Sequence, residues 1–236
     1  HMDGESEIKG LKMGAMDCIR KPFEPEIVRS RIDKILKMTE QKKELQDIAL
    51  KDGLTALLNR RYMERLLNQT EADGKKGFFM LLDLDNFKLV NDIFGHKVGD
   101  DVLIRFARVM EKQVGDENSV CRLGGDEFAA YFSGNYKKKD IINIASRMIA
   151  GIEYEINELL LDSGDLKVSV SIGIARKPED GRGFTKLYSA ADKALYFVKQ
   201  NGKRGYHFFH ETAMELKETE DESKQIDLVQ FQHLMQ

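Results

Sequence analysis

The chain has 236 residues, 42% of them hydrophobic, enough for one domain with extensions or for two small ones. Its 37 basic and 40 acidic residues leave a net charge of −3, so no broad positive field favours nucleic acid or an anionic membrane. Two cysteines, Cys18 and Cys121, each in an apolar stretch, exclude a disulfide framework and fit a reducing cytosol, so a cytoplasmic location is expected. The longest apolar run, Phe78 to Leu82, is far too short for a bilayer, and no signal peptide is visible. His1-Met2 reads as a cloning remnant, which places the natural start elsewhere.

Gly14-Ala15-Met16-Asp17-Cys18-Ile19-Arg20-Lys21-Pro22-Phe23 reads as a helix end, a short strand and a proline-bound turn. Pro25 suits the first turn of the helix that follows. From Ile27 to Ala49 one long helix is expected, with Val28, Ile35, Lys42 and Ala49 spaced by heptads and Met38 and Leu45 interleaved. That is a weak seam, diluted by Lys42. A stalk that pairs with its counterpart in a dimer and a monomeric surface helix both fit it.

Asp52-Gly53-Leu54-Thr55 breaks the helix and opens a new unit, and Asn59 is placed to cap a helix from Arg60 towards Asn68. Gly77 to Leu84 reads as a buried strand, Phe87 to Phe94 as a short helix, and Val98 to Val114 as an amphipathic one. Two strands at about 119–123 and 127–133 flank Gly124-Gly125-Asp126, a glycine turn that presents acids at its tip. Asp140 to Leu161 predicts a helix and Leu166 to Ala175 a strand, with Val168, Val170 and Ile172 alternating against Ser169 and Ser171. A helix over 186–200 and a strand near Gly205–Phe209 close the domain. The core order is strand, helix, two hairpin strands, helix, strand. This is an α+β, ferredoxin-like βαββαβ plan with a helical stalk before it.

Leu82-Asp83-Leu84-Asp85 ends the first core strand with two carboxylates on one face. In this topology that strand lies beside the hairpin, so Asp83 and the Asp126-Glu127 turn are expected to converge. Oxygen-only ligands suit Mg²⁺ or Mn²⁺, and such a site can hold two ions, with water and nucleotide phosphates completing the shell. A capping aspartate beside a solvated acidic turn is the plainer alternative.

Arg122-Leu123-Gly124-Gly125-Asp126-Glu127-Phe128, with Asp83-Leu84-Asp85-Asn86-Phe87-Lys88 and Asp52-x-Leu-Thr before it, resembles the diguanylate cyclase (GGDEF) family. Asn91-Asp92-x-Phe-Gly-His96-x-x-Gly-Asp100, Val170-Ser171-Ile172-Gly173 and Ala191-Asp192-x-Ala-Leu-Tyr196-x-x-Lys199 keep the family order from about Asp52 to Phe209. The resemblance implies condensation of two GTP into cyclic di-GMP with release of two pyrophosphates, between the half-sites of a homodimer. It implies Asp83, the Leu84 backbone carbonyl, Asp126 and Glu127 as ligands of two Mg²⁺ or Mn²⁺ ions per half-site. Asp126 matches the general base, with Glu127 assisting, and Lys88 a transition-state stabiliser. Asn91 and Asp100 match the guanine-binding residues, a pairing suited to the N1–H and N2–H₂ donors. Phe87 and His96 are further substrate contacts, Lys199 and Lys203 grip phosphates, and Gly124 and Gly125 let backbone amides approach them.

Two departures stand out. Gly115-Asp116-Glu117-Asn118 occupies the place where many relatives carry an Arg-x-x-Asp inhibitory product site, so strong feedback through it is not expected. Lys203 stands where arginine is usual, which removes bidentate phosphate geometry. Residues 14–23 resemble the end of a response-regulator receiver, with Lys21 matching its phosphoryl-contacting lysine and Cys18 replacing the usual aromatic. The expected organisation is thus 1–40 receiver remnant, 41–51 linker, 52–210 GGDEF domain and 211–236 a linker or docking tail. An upstream histidine kinase would act on the full-length protein. The alternative is a non-enzymatic module that binds GTP or cyclic di-GMP.

Overall fold

The computed structural model describes residues 8–9, 12–15, 17, 19, 22, 24–160 and 166–211. The chain divides into two compact units, His1–Ala49 and Leu50–Gln236. Cys18, Lys21, the side chains at 42–49 in the expected seam, and the tail from 212 onward lie outside the described residues.

In the first unit, helix α1 (Pro25–Leu50) starts on the proline, where a missing N–H costs nothing. Arg31 pairs with Asp17 at 3.1 Å, an exposed contact worth little. Val28 and Ile35 of the expected seam are half-buried, while Ile27, Ile32, Leu36 and Met38 are exposed.

The second unit is built on a six-stranded sheet. Its strands are β1 (Leu58–Asn59), β2 (Gly77–Asp85), β3 (Ser119–Gly124), β4 (Glu127–Ser133), β5 (Ser169–Lys177) and β6 (Gly205–Phe208), in the order β1-β3-β4-β2-β5-β6. The central four, β3-β4-β2-β5, are antiparallel, and β1 and β6 add in parallel at the edges. That is the expected ferredoxin-like core. The helices are α2 (Arg60–Gln69), α3 (Phe87–Phe94), α4 (His96–Val114), α5 (Lys138–Leu159) and α6 (Phe184–Gln200). Asn59 caps α2 as the sequence predicts, its side chain accepting from the Tyr62 amide at 3.1 Å.

Strand alternation divides the interior in two. Met80, Leu82, Leu84, Phe128, Phe132, Val170 and Ile172 pack on one face against Phe106 and Met110 of α4 and Met148 and Ile152 of α5. Phe79, Leu81, Leu123, Ala129 and Tyr131 pack on the other against Met63 and Leu67 of α2 and Leu187, Ala191 and Leu195 of α6. Cys121 is buried there, and burial pushes its thiol pKa far up, which makes it unreactive. At Gly173 an added Cβ would fall 1.9 Å from the Ala191 carbonyl oxygen, so the bare backbone lets α6 settle on β5.

β5 departs from expectation at both ends. Pairing with β2 begins at Asp85↔Ser169, because the Lys167 carbonyl accepts from the Asn86 side chain instead of joining the ladder. It ends at Gly77↔Lys177, two residues later than predicted, where the buried Lys177 ammonium donates to the Thr70 carbonyl and to Asp73. The two-residue β1, pinned by a bridge between Lys51 and Leu58, is too short to leave a periodic signal.

Candidate active site

The ladder between β2 and β4 closes on Asp83↔Glu127, while the ladder between β2 and β5 runs on to Asp85. Directly paired residues share a face, so Asp83 and Glu127 both project towards the α6 side, as does Asp85 two residues on. The last residues of β2 therefore run beside the turn at Gly125-Asp126 without a β4 partner.

These acids have different fates. Asp85 is 2% exposed and saturated, accepting from Ser169 Oγ at 2.7 Å, from Ser171 Oγ at 2.9 Å and from the Arg204 amide at 3.3 Å. It ties β2 to β5 and to the loop after α6. The alternation of Ser169 and Ser171 against valine and isoleucine thus marks a buried carboxylate rather than a solvent face. Asp83 pairs with Lys199 Nζ at 2.7 Å. Burial raises its carboxyl pKa, Asp126 and Asp85 push it further the same way, and Lys199 opposes them. Glu127 meets the Tyr188 hydroxyl at 3.3 and 3.4 Å.

The turn itself is braced from below. Gly124 and Gly125 have φ of 147° and 55°, the left-handed geometry the glycines were expected to supply. Arg122 donates from Nε and Nη2 to the Gly125 carbonyl at 3.0 and 2.8 Å, and from Nη1 to Asp52 at 3.1 Å. Asp52 also accepts from the Thr55 amide and hydroxyl at 2.9 and 2.7 Å. Burial works against its ionised form, but these bonds win and hold its carboxyl below the ordinary value. The Asp52-x-x-Thr55 signature is therefore a clamp on the hairpin.

Phe87 and Asn91 meet over Gly99 at the corner between α3 and α4, one residue before Asp100 in the chain. A Cβ on Gly99 would lie 2.0 Å from Asn91 Oδ1 and 3.4 Å from Phe87 Cζ, so both side chains rest on bare helix backbone beside Asp100. Lys203 Nζ donates to Asn86 Oδ1 at 3.0 Å, which brings the loop after α6 to the start of α3. Lys88 and His96 are exposed and make no hydrogen bond or ion pair among the described residues. The fold thus joins Asp83, Asp126, Glu127 and Lys199 in one cluster and sets Phe87 and Asn91 together over Gly99, with Asp100 next along α4.

A divalent cation is compatible with the acidic cluster, because its donors are hard oxygens and it gathers three carboxylates against the Lys199 ammonium. Among the described residues no three His, Cys, Asp or Glu side chains close on one point. The two aspartates and the Leu84 carbonyl would hold such an ion only with oxygens from nucleotide and water beside them. A concavity of about 630 Å³ lies elsewhere, lined in part by Lys51, Leu57, Glu111, Lys112, Asp116 and Asn118.

The profile of the family described as "Diguanylate cyclase, GGDEF domain" matches residues 49–205. The chain belongs to this family. The bifunctional diguanylate cyclase/cyclic di-GMP phosphodiesterase MucR of Pseudomonas aeruginosa is 35% identical over 173 residues, 71% of this chain and 24% of MucR. The response regulator PleD of Caulobacter vibrioides is 29% identical over 211 residues, 83% of this chain and 45% of PleD. This chain therefore spans less than half the length of either curated relative. The solved GGDEF domain of TpbB from Pseudomonas aeruginosa is 32% identical, with a TM-score of 0.59 over 67% of this chain and 93% of that one.

Within the GGDEF domain, sequence reasoning overlooked the floor under Asn91 at Gly99 and the bracket on Glu127 from Tyr188. It left the role of Arg122 open. Gly99 stands in the quoted His96-to-Asp100 motif, which was signal enough. Tyr188 carries no such mark. No helix among the described residues is long and apolar enough to cross a membrane.

Proposed function

We propose that this GGDEF domain is an active diguanylate cyclase half-site, condensing two GTP into cyclic di-GMP and two pyrophosphates across a homodimer. The observation that carries the reading is the pairing of Asp83 with Glu127 beside the Asp126 turn, with Lys199 as counter-charge. No acid of the signature is missing, and Asn91 and Asp100 offer an amide and a carboxylate suited to guanine.

In this reading Asp100 accepts from guanine N1–H and N2–H₂, Asn91 adds an amide contact to the base, and the aromatic ring of Phe87 bounds it. Lys199 and Lys203 draw the phosphates towards the hairpin, where the amides at Gly124 and Gly125 meet them. Asp126 takes the proton from the ribose 3′-hydroxyl of its own GTP. That oxygen attacks the α-phosphorus of the GTP in the partner half-site, the bond to the β-phosphate oxygen breaks, and pyrophosphate leaves. Repetition with the roles exchanged closes the ring. Lys88 and His96, both exposed, are left free to meet the nucleotide. Bound Mg²⁺ or Mn²⁺, held by Asp83, the Leu84 carbonyl, Asp126 and Glu127, would acidify the hydroxyl and offset charge on the phosphates.

The match to a protein named a response regulator covers 83% of this chain, a larger share than residues 49–205 make up. It supports reading the N-terminal segment as the end of a receiver, with α1 as a stalk joining two copies and a histidine kinase acting upstream in the cytoplasm. Incubation with GTP and Mg²⁺, with products resolved chromatographically, tests the central claim. Cyclic di-GMP is expected from wild type and not from Asp126→Asn. Bound GTP with no product would instead identify a non-enzymatic binding module.

A further inference from the structure

Glu127 is the hairpin acid whose carboxylate has a side-chain partner in this fold. The Tyr188 hydroxyl stands 3.3 Å from one of its oxygens and 3.4 Å from the other, almost evenly between them. An ionised carboxylate only accepts, so the phenol donates. The contact is long, which restrains the carboxylate without tying up either oxygen.

Tyr188 is itself fixed. Its ring stacks on Phe184 at 5.6 Å with planes 30° apart. The Arg60 guanidinium lies 5.5 Å from the Phe184 ring and 5.6 Å from the Tyr188 ring, and Glu64 holds it by a 2.9 Å bond. Glu64 and Arg60 belong to α2, Phe184 and Tyr188 to α6, and Glu127 to β4. Three elements thus converge on the orientation of one carboxylate. Nothing in packing alone requires the hydroxyl, because Phe184 and the guanidinium contact the ring.

We propose that Tyr188 is a positioning residue that holds the Glu127 carboxylate in register with Asp83, with Arg60 fixing the tyrosine ring. This rests on the reading of Glu127 as a ligand in the cyclase half-site. Tyr188→Phe removes the hydroxyl and leaves the stack and the cation contact in place. With a non-hydrolysable GTP analogue bound, Mn²⁺ titrated by electron paramagnetic resonance should bind about three- to tenfold more weakly to Tyr188→Phe than to wild type, the scale of one modest hydrogen bond to a charged group. The melting temperature should be unchanged. Turnover should fall by a similar factor with the KM for GTP unaltered, which a general packing defect would not produce. In a Glu127→Gln background the same substitution should have no further effect on Mn²⁺ binding. Arg60→Met, which leaves the hydroxyl intact, should reproduce part of the loss.

Wild-type Mn²⁺ affinity in Tyr188→Phe would overturn the proposal. So would an undiminished loss in the Glu127→Gln background, or an absence of Mn²⁺ binding by the wild-type complex. If the wild type binds Mn²⁺ and analogue but makes no cyclic di-GMP, the cyclase reading fails while the titration still decides the role of Tyr188.

Discussion

Asp83 and Lys199 hold each other at 2.7 Å across the gap between β2 and α6, and that ion pair does not make up for the burial of the Asp83 carboxylate. Burial first, then Asp126 and Asp85, still raise its carboxyl pKa above the ordinary 3.8. The sign follows: a raised folded-state value means the folded protein holds this proton more tightly than the unfolded chain. The associated stability is full below pH 3.8 and is lost as pH rises through the folded-state pKa. Asp83→Asn should therefore melt no lower than wild type at pH 7 without added Mg²⁺, while losing at least about a hundredfold in cyclic di-GMP synthesis. Calorimetry beside a product assay checks both halves.

Asp52 behaves oppositely. Its folded-state pKa lies below 3.8, so its contribution is present above that value and is lost as pH falls through the folded-state pKa. Denaturant titrations of Asp52→Asn should show a stability deficit at pH 7 that shrinks as the pH drops below that point.

Arg122 is 12% exposed and spends three donor contacts on Gly125 and Asp52. Arg122→Ala should cost about 1–3 kcal/mol of stability. It should also lower turnover more than it raises the KM for GTP, because the turn carrying Asp126 loosens while the guanine corner is untouched. Urea unfolding and steady-state kinetics on one preparation separate the two effects.

Gly99 predicts a specificity change with little cost in stability. Alanine favours a helix over glycine by roughly 0.5–1 kcal/mol, but its Cβ would fall 2.0 Å from Asn91 Oδ1. Gly99→Ala should keep its melting temperature within a few degrees and lose preference for GTP over ITP, measured as the ratio of kcat/KM values.

Much of this was legible in the chain. The core order and the hairpin followed from apolar runs and glycines, and the Asn59 cap from its position. What stayed hidden were contacts between residues far apart. Asp83 and Asp85 share a face and look equivalent in sequence, yet Ser169 and Ser171 consume Asp85 from 84 and 86 residues away. Tyr188 reads as one more apolar position on α6, and its link to Glu127, 61 residues away, exists only once α6 has docked. Arg122 could be seen beside the signature, but its hold on Asp52 spans 70 residues and depends on β1 pairing with β3.

The account stands or falls on two half-sites acting together. The direct measurement is the yield of cyclic di-GMP and pyrophosphate from GTP and Mg²⁺ over a range of protein concentrations. The prediction is two pyrophosphates per cyclic di-GMP and a rate per subunit that climbs with concentration until the dimer is saturated. Saturable GTP binding with no cyclic di-GMP at any concentration, or a rate per subunit independent of dimer formation, would contradict it.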